Sequence, residues 1–184
     1  MSDIKRLADL ISRRNQVNKE ISDLIGRPAL TGHIGEYIAS KIFNIELESS
    51  AARKGIDGRF TEGALKGRTV NIKIYGKREG LLDISLENLA DYYLVMAGPQ
   101  SQSMTSKGAA RPIVISNVYL FKMNELLTEL GNRGVKIRVA TSVARKYWDS
   151  AEIFPHQTNK KFILTKKQCE LLRSFYYNHL SIIS

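Results

Sequence analysis

Apolar residues recur at helical spacing through Ile4, Leu7, Leu10, Ile11, Val17, Ile21, Leu24 and Ile25, which predicts a long amphipathic helix over 3–25. Gly26-Arg27-Pro28 ends it, by loss of a side chain and then of an N–H donor. A second helix is predicted from about Gly32 to Phe43, with Ile34, Ile38 and Ile42 as its buried ridge. Gly35 inside that helix costs about 1 kcal/mol relative to alanine, which points to close backbone packing. The period then changes to two. Ile56 and Phe60 fall on one face of a short strand, with Asp57 and Arg59 on the other. In the next strand Val70, Ile72 and Ile74 alternate with Asn71, Lys73 and Tyr75, and Gly63 and Gly67 mark the turn region between the two. A short helix is predicted over 81–89. Asp91 to Met96 reads as a buried strand, because its apolar run is continuous rather than alternating.

Residues 98–112 are rich in Gly, Ser and Pro and carry no acid, so a mobile loop is predicted there. Further on, the pattern predicts a strand over 112–121, a helix over 124–130 closed by Gly131, a strand over 135–140 and a last helix over 166–180. These elements add up to an α/β fold, a mixed central sheet flanked by helices with the N-terminal helix (1–28) appended. At 184 residues and 43% hydrophobic content, the chain can bury one sizeable core in a single domain.

Charge adds a functional direction. The net charge is +10, and it is unevenly placed. Residues 53–78 carry eight Lys/Arg against two acids, Asp57 and Glu62, and residues 132–173 carry ten against three. Clustered cations of this kind form the electrostatic footprint of a phosphate-backbone binder. Lys77, Arg78, Lys136, Arg138, Arg145 and Lys146 are the candidate nucleic-acid contacts, with DNA as the expected partner. Tyr147 and Trp148, beside Arg145 and Lys146, have the chemistry to stack on bases, although such a pair more often belongs to a core. Neither basic stretch reads as an amphipathic membrane helix, and no apolar run approaches the ~20 residues that span a bilayer. With no signal-peptide pattern at the N-terminus, a cytoplasmic location is expected. Cys169 is the only cysteine, so an internal disulfide is excluded. His33, His156 and His179 show no ligand spacing, and residues 63–67 lack the Gly-Lys-Ser/Thr ending of a phosphate-binding loop.

Hydrolysis of a phosphodiester needs a divalent cation, oxygen ligands for it, and positive charge on the phosphate. Asp57 lies on one predicted strand and Asn71-Ile72-Lys73 on the next, and alternation points Asn71 and Lys73 to the same face. A hairpin pairing of the two strands would let Asp57 reach that face, and Glu36 stands at the edge of the second helix's apolar surface. The bland readings are a turn cap for Asp57, a solvated strand face for Lys73 and an ordinary helix-edge acid for Glu36.

The order of these segments carries a resemblance: a helix with Glu36, then Gly55-Ile56-Asp57-Gly58, then Val70-Asn71-Ile72-Lys73, a helix, and Asp91-Tyr92-Tyr93-Leu94-Val95-Met96. Over residues 32–97 it resembles the PD-(D/E)XK nuclease superfamily, which includes restriction endonucleases and DNA-repair nucleases. The segments GHIGE and GIDGRF are also similar to a group of uncharacterised bacterial and phage proteins. The resemblance implies a metal-dependent DNA endonuclease using Mg²⁺, with Mn²⁺ as a substitute. It makes Asp57 the metal-binding aspartate, Lys73 the catalytic lysine and Glu36 the accessory acid of the first core helix. Where the family pattern has Asp or Glu, this chain has Asn71, which keeps an oxygen ligand and removes a negative charge. Asp83 would supply a further carboxylate if residues 81–85 lie close to the motif. The alternative reading is a nuclease fold that has lost catalysis and binds DNA or partners. A third is an oligomer, such as a homodimer, paired through the first helix.

Overall fold

The two predicted halves of the motif region meet across one contact, between α2 (Thr31–Phe43) and β3 (Thr69–Tyr75). Gly35 is what lets them meet. A Cβ at this position would lie 2.8 Å from Ile74 Cγ2, so the missing side chain sets how closely the helix lies on the strand. The computed structural model describes residues 2–49, 55–100 and 112–176. Before α2 comes α1 (Asp3–Ile25), closed by Gly26 in the left-handed region with its N–H on Ser22 O. After α2 the chain forms β1 (Ile45–Leu47), β2 (Gly58–Phe60), β3, β4 (Leu81–Leu82), β5 (Tyr92–Ala97) and β6 (Asn117–Lys122). The remainder is α3 (Met123–Asn132), β7 (Thr141–Ser142), α4 (Arg145–Ala151), β8 (Glu152–Phe154) and α5 (Lys166–Arg173).

Six strands form one mixed sheet in the order β1-β2-β3-β5-β6-β8, in which β3 and β5 are parallel and the other neighbours antiparallel. β5 is central and buried along its whole length, as its unbroken apolar run implies. Side-chain alternation then sorts the core into two layers. Val70, Ile72, Ile74, Leu94, Met96, Val118 and Leu120 face the α2 and α5 side. Tyr75, Tyr93, Val95, Tyr119 and Phe121 face α3, α4 and the small β4–β7 ribbon. Trp148 anchors this second layer, edge-on to Tyr119 at 4.9 Å and Phe121 at 5.1 Å, with its N–H on Val143 O. Such ring pairs contribute about 1 kcal/mol each beyond burial. α5 is capped by a reciprocal Thr165–Gln168 pair, and Gln168 Nε2 also donates to Ile42 O, which ties α5 to the end of α2.

The α/β expectation holds, and so do the two N-terminal helices and the β3 and β5 strands. Several local expectations do not. Residues 81–89 form β4 and a turn rather than a helix, because Leu82 and Ile84 are buried by β7 and its neighbours without helical backbone bonding. Residues 135–140 are not a strand. Thr141 Oγ1 takes the Arg138 N–H and returns a bond to Arg138 O, closing a turn there. The strand predicted over 112–121 begins only at Asn117, since the Ile115 N–H goes to Phe175 O and not to a neighbouring strand. α3 continues past Gly131 to Asn132. Ile56 and Phe60 do not share a face: Phe60 joins the α2 layer and Ile56 packs against the other. Of the predicted mobile loop, residues 101–111 lie outside the described residues, as does His179.

Candidate active site

β2 pairs with β3 only at Gly58–Val70 and Arg59–Thr69, while β3 runs on to Tyr75. Asp57 sits where β2 leaves its neighbour. Its N–H donates to Val70 O at 2.9 Å, and its own carbonyl accepts from Glu48 N at 2.9 Å. Gly58 makes this crossing of β1 and β2 possible, because a Cβ there would lie 2.4 Å from Glu46 O. The Asp57 carboxylate then takes over the ladder, with Oδ2 accepting the Ile72 N–H at 2.6 Å. Oδ1 has no hydrogen-bond partner among the described residues.

The charged groups approach Asp57 from both layers. Glu36 comes from α2, on the Ile72 and Ile74 face. Lys73 projects to the opposite face, its Nζ 5.8 Å from the Tyr93 ring centroid. Burial pushes the Asp57 carboxyl above the usual aspartate range. The Ile72 N–H opposes that rise, the Glu36 charge adds to it, and Lys73 and Arg27 oppose it. Asp57 thus lies between charges from two faces: Glu36 stands on the α2 side and Lys73 with Asn71 on the other, so the four residues do not gather on one face of the sheet. Sequence reasoning missed Arg27. Its guanidinium donates to Glu36 Oε2 from the short link between α1 and α2. No periodicity marks that link, and only the turn at Gly26 and Pro28 brings Arg27 over the site.

Asn71 is 5% exposed, and its Nδ2 donates to Gly55 O at 3.2 Å, on the segment that leads into Asp57. Its Oδ1 is buried with no partner. An orphaned buried acceptor costs about 1–3 kcal/mol unless a ligand, ion or water fills it. Mg²⁺ is held in enzymes by one or two carboxylates plus substrate phosphates and water. A desolvated carboxylate with one free oxygen and a buried amide oxygen with none of its bonds made fit that donor chemistry. Glu36 fits it once released from Arg27. Among the described residues, no group of three or more His, Cys, Asp and Glu side chains gathers to hold a metal.

Asp83 does not supply the missing acid, because its Oδ1 accepts the Ala140 N–H at 2.8 Å. Among the candidate DNA contacts, Lys136, Arg138, Arg145 and Lys146 are exposed on the layer that carries Lys73, and Lys77 is half-buried. Arg145 pairs with Asp149 at 3.4 Å, and Lys146 lies over the Tyr147 ring at 4.7 Å. Arg78 is the exception. It is 9% exposed, lies beside the Tyr119 and Trp148 rings, and is bonded to Gln100, so it is placed in the core and not on the basic surface. Trp148 is likewise a core residue. A cavity of about 780 Å³ lies elsewhere, lined by Tyr92, Lys122, Glu125, Tyr147, Asn159 and Lys161 among others. Of its two acids, Glu125 pairs with Lys122 and Lys161, and Glu129 accepts the Tyr147 hydroxyl. No helix among the described residues is long and apolar enough to cross a membrane. Neither a protein-family model nor a curated protein matches the chain.

Proposed function

We propose that the chain is a metal-dependent endonuclease that cleaves DNA phosphodiester bonds with a PD-(D/E)XK-type site. The observation that carries this reading is a half-buried Asp57 where β2 leaves β3, with one carboxylate oxygen on the Ile72 N–H, next to the Asn71 amide, which is bonded to Gly55 and whose own oxygen is buried without a partner. Asp57, through Oδ1, and the Asn71 amide oxygen would hold Mg²⁺ or Mn²⁺, and Glu36 would reach the same cation only by leaving Arg27 and coming round from the α2 face. When bound, the cation polarises the phosphate and makes a coordinated water more acidic. The chain's own residues do the rest. The Ile72 N–H keeps the Asp57 carboxylate in one orientation, and Lys73 offers a half-buried ammonium to the charge that develops on the phosphate. Lys77, Lys136, Arg138, Arg145 and Lys146 give the DNA backbone a basic surface on the Lys73 side of the sheet.

A second reading is favoured by one contact, the Arg27–Glu36 ion pair, together with the amide at Asn71. In it the guanidinium supplies the positive charge a cation would bring, and the fold binds DNA without cutting it. Incubation of supercoiled plasmid with the protein in Mg²⁺, Mn²⁺ or EDTA separates the two. The endonuclease reading predicts nicking with metal and none in EDTA. It also predicts that Lys73→Ala lowers the rate at least ~100-fold with DNA affinity preserved. DNA binding without cleavage in either metal selects the second reading, and cleavage unchanged in both Asp57→Ala and Lys73→Ala removes the site from the chemistry.

A further inference from the structure

α1 is 23 residues long and none of its side chains is buried. Helices gain most of their stability in proteins by packing an apolar face, and this one leaves Leu7, Leu10, Val17 and Leu24 exposed. The exposed residues are not scattered. Leu7, Leu10, Arg14, Val17, Ile21 and Leu24 follow one another at alternating steps of three and four, the spacing that brings two helices together along a seam. Ile21 is half-buried, and Arg14 is the single polar residue in the series.

Charge along the helix says which partner fits and which way it runs. Residues 3–14 carry four cations (Lys5, Arg6, Arg13, Arg14) against two acids (Asp3, Asp9). Residues 15–25 reverse the balance, with Lys19 against Glu20 and Asp23. A parallel copy would set Arg14 on Arg14 in the seam and stack the two basic halves. An antiparallel copy sets Leu7 opposite Leu24, Leu10 opposite Ile21 and Arg14 beside Val17, and it lays each basic half on an acidic one. Arg13 and Glu20 flank the seam, placed to pair across it. Lys19 and Asp23 are occupied with each other at 2.6 Å on the outer face.

We propose that α1 is a dimerisation helix that pairs with α1 of a second copy of this chain in antiparallel register. The pairing covers a long helix that the rest of the described domain leaves largely exposed, and it is independent of the nuclease reading. Arg14, isolated in the seam, disfavours the parallel arrangement in the way a lone polar residue selects one coiled-coil partner geometry.

Sedimentation velocity of the full chain across a concentration series tests it. The wild type is expected to run as a dimer. Leu10→Asp is expected to run as a monomer with the thermal melt of the α/β domain unchanged. Arg13→Glu turns two attractive cross-pairs repulsive and should weaken the dimer ~tenfold. The double change Arg13→Glu with Glu20→Arg restores opposite charges across an antiparallel seam only, and it should recover wild-type dimerisation. A monomeric wild type overturns the proposal. A dimer that survives Leu10→Asp, or a charge swap that stays as weak as Arg13→Glu alone, overturns it too.

Discussion

β3 carries two buried polar clusters, one along its length and one just past its end, and they handle charge in opposite ways. Just beyond the strand, Arg78 lies beside the Tyr119 and Trp148 rings, 5.7 and 6.0 Å from their centroids, bonded to Gln100 and 3.9 Å from Asp149. An arginine keeps its charge whatever surrounds it, so this cluster answers with aromatic faces and an acid, and leaves only Nε without a partner. Around Asp57 no such enclosure forms. The carboxylate receives one backbone bond, faces a second acid, and is pushed toward its neutral form. Near-complete neutralisation marks a cluster that holds the chain together, here by clamping Pro99 and Gln100 to the sheet. A carboxylate held above its usual pKa beside a buried unfilled acceptor marks one that gains from a ligand.

The contrast predicts opposite phenotypes. On the endonuclease reading proposed above, the largest effect falls on catalysis: Lys73→Ala should reduce plasmid nicking at least ~100-fold while moving the melting temperature little, since Lys73 is only half-buried. Arg78→Met should do the reverse, costing ~2–4 kcal/mol in a denaturant melt because a buried, bonded cation is lost from beside two rings. Its DNA affinity at permissive temperature should match the wild type. If Arg78→Met instead weakens DNA binding without loss of stability, the core role assigned to it is wrong.

Gly35→Ala sits between these extremes. Alanine favours the helix by about 1 kcal/mol, but its methyl meets Ile74 and overpacking costs ~1–3 kcal/mol. The expected outcome is a small net loss of stability and, on the endonuclease reading, a drop in nicking as α2 carries Glu36 away from Asp57. Full activity in this variant would show that the helix position does not matter to the site.

The smallest effect is in the pH dependence of the melt, and its sign differs between two aspartates. Because the folded Asp57 pKa is raised, the native chain holds that proton more tightly than the unfolded chain, so its ionisation removes stability as pH rises above the ordinary aspartate range. Asp91 behaves oppositely. Desolvation acts to raise it, but bonds from Thr69 N and Oγ1 and the nearby Arg68 and Arg59 outweigh this and hold it low. Its contribution is present above the ordinary range and is lost as pH falls through the folded pKa. Melts in EDTA between about pH 3 and 7 should show Asp57→Asn gaining on the wild type toward neutral pH, and Asp91→Asn losing its deficit toward acid.

Much of this was legible in the residues, and the reasons for the rest are physical. The alternation of Val70, Ile72 and Ile74 with Asn71, Lys73 and Tyr75 reports a strand with two different faces, and the structure keeps those faces apart. β1 and β8 have three residues each, too few for a period to show. Leu81, Leu82 and Ile84 look helical because burial and helical periodicity leave the same trace over so short a run. Arg78 and Lys77 are neighbours of like charge in the sequence, yet one turns into the core. Nothing in a run of cations tells which of them will find two aromatic rings. Arg27 was invisible for a related reason, since its role depends on how the turn after α1 is aimed.

The most direct measurement of the central claim is the shift in melting temperature that Mg²⁺ or Mn²⁺ produces at neutral pH, in the wild type and in Asp57→Asn. A cation that binds at Asp57 and the Asn71 oxygen relieves both the desolvated carboxylate and the orphaned acceptor, so the wild type should be stabilised in proportion to the logarithm of metal concentration. Asp57→Asn should lose that shift while melting no lower than the wild type in EDTA. No metal-dependent shift in the wild type, or an equal shift in the variant, would contradict the account.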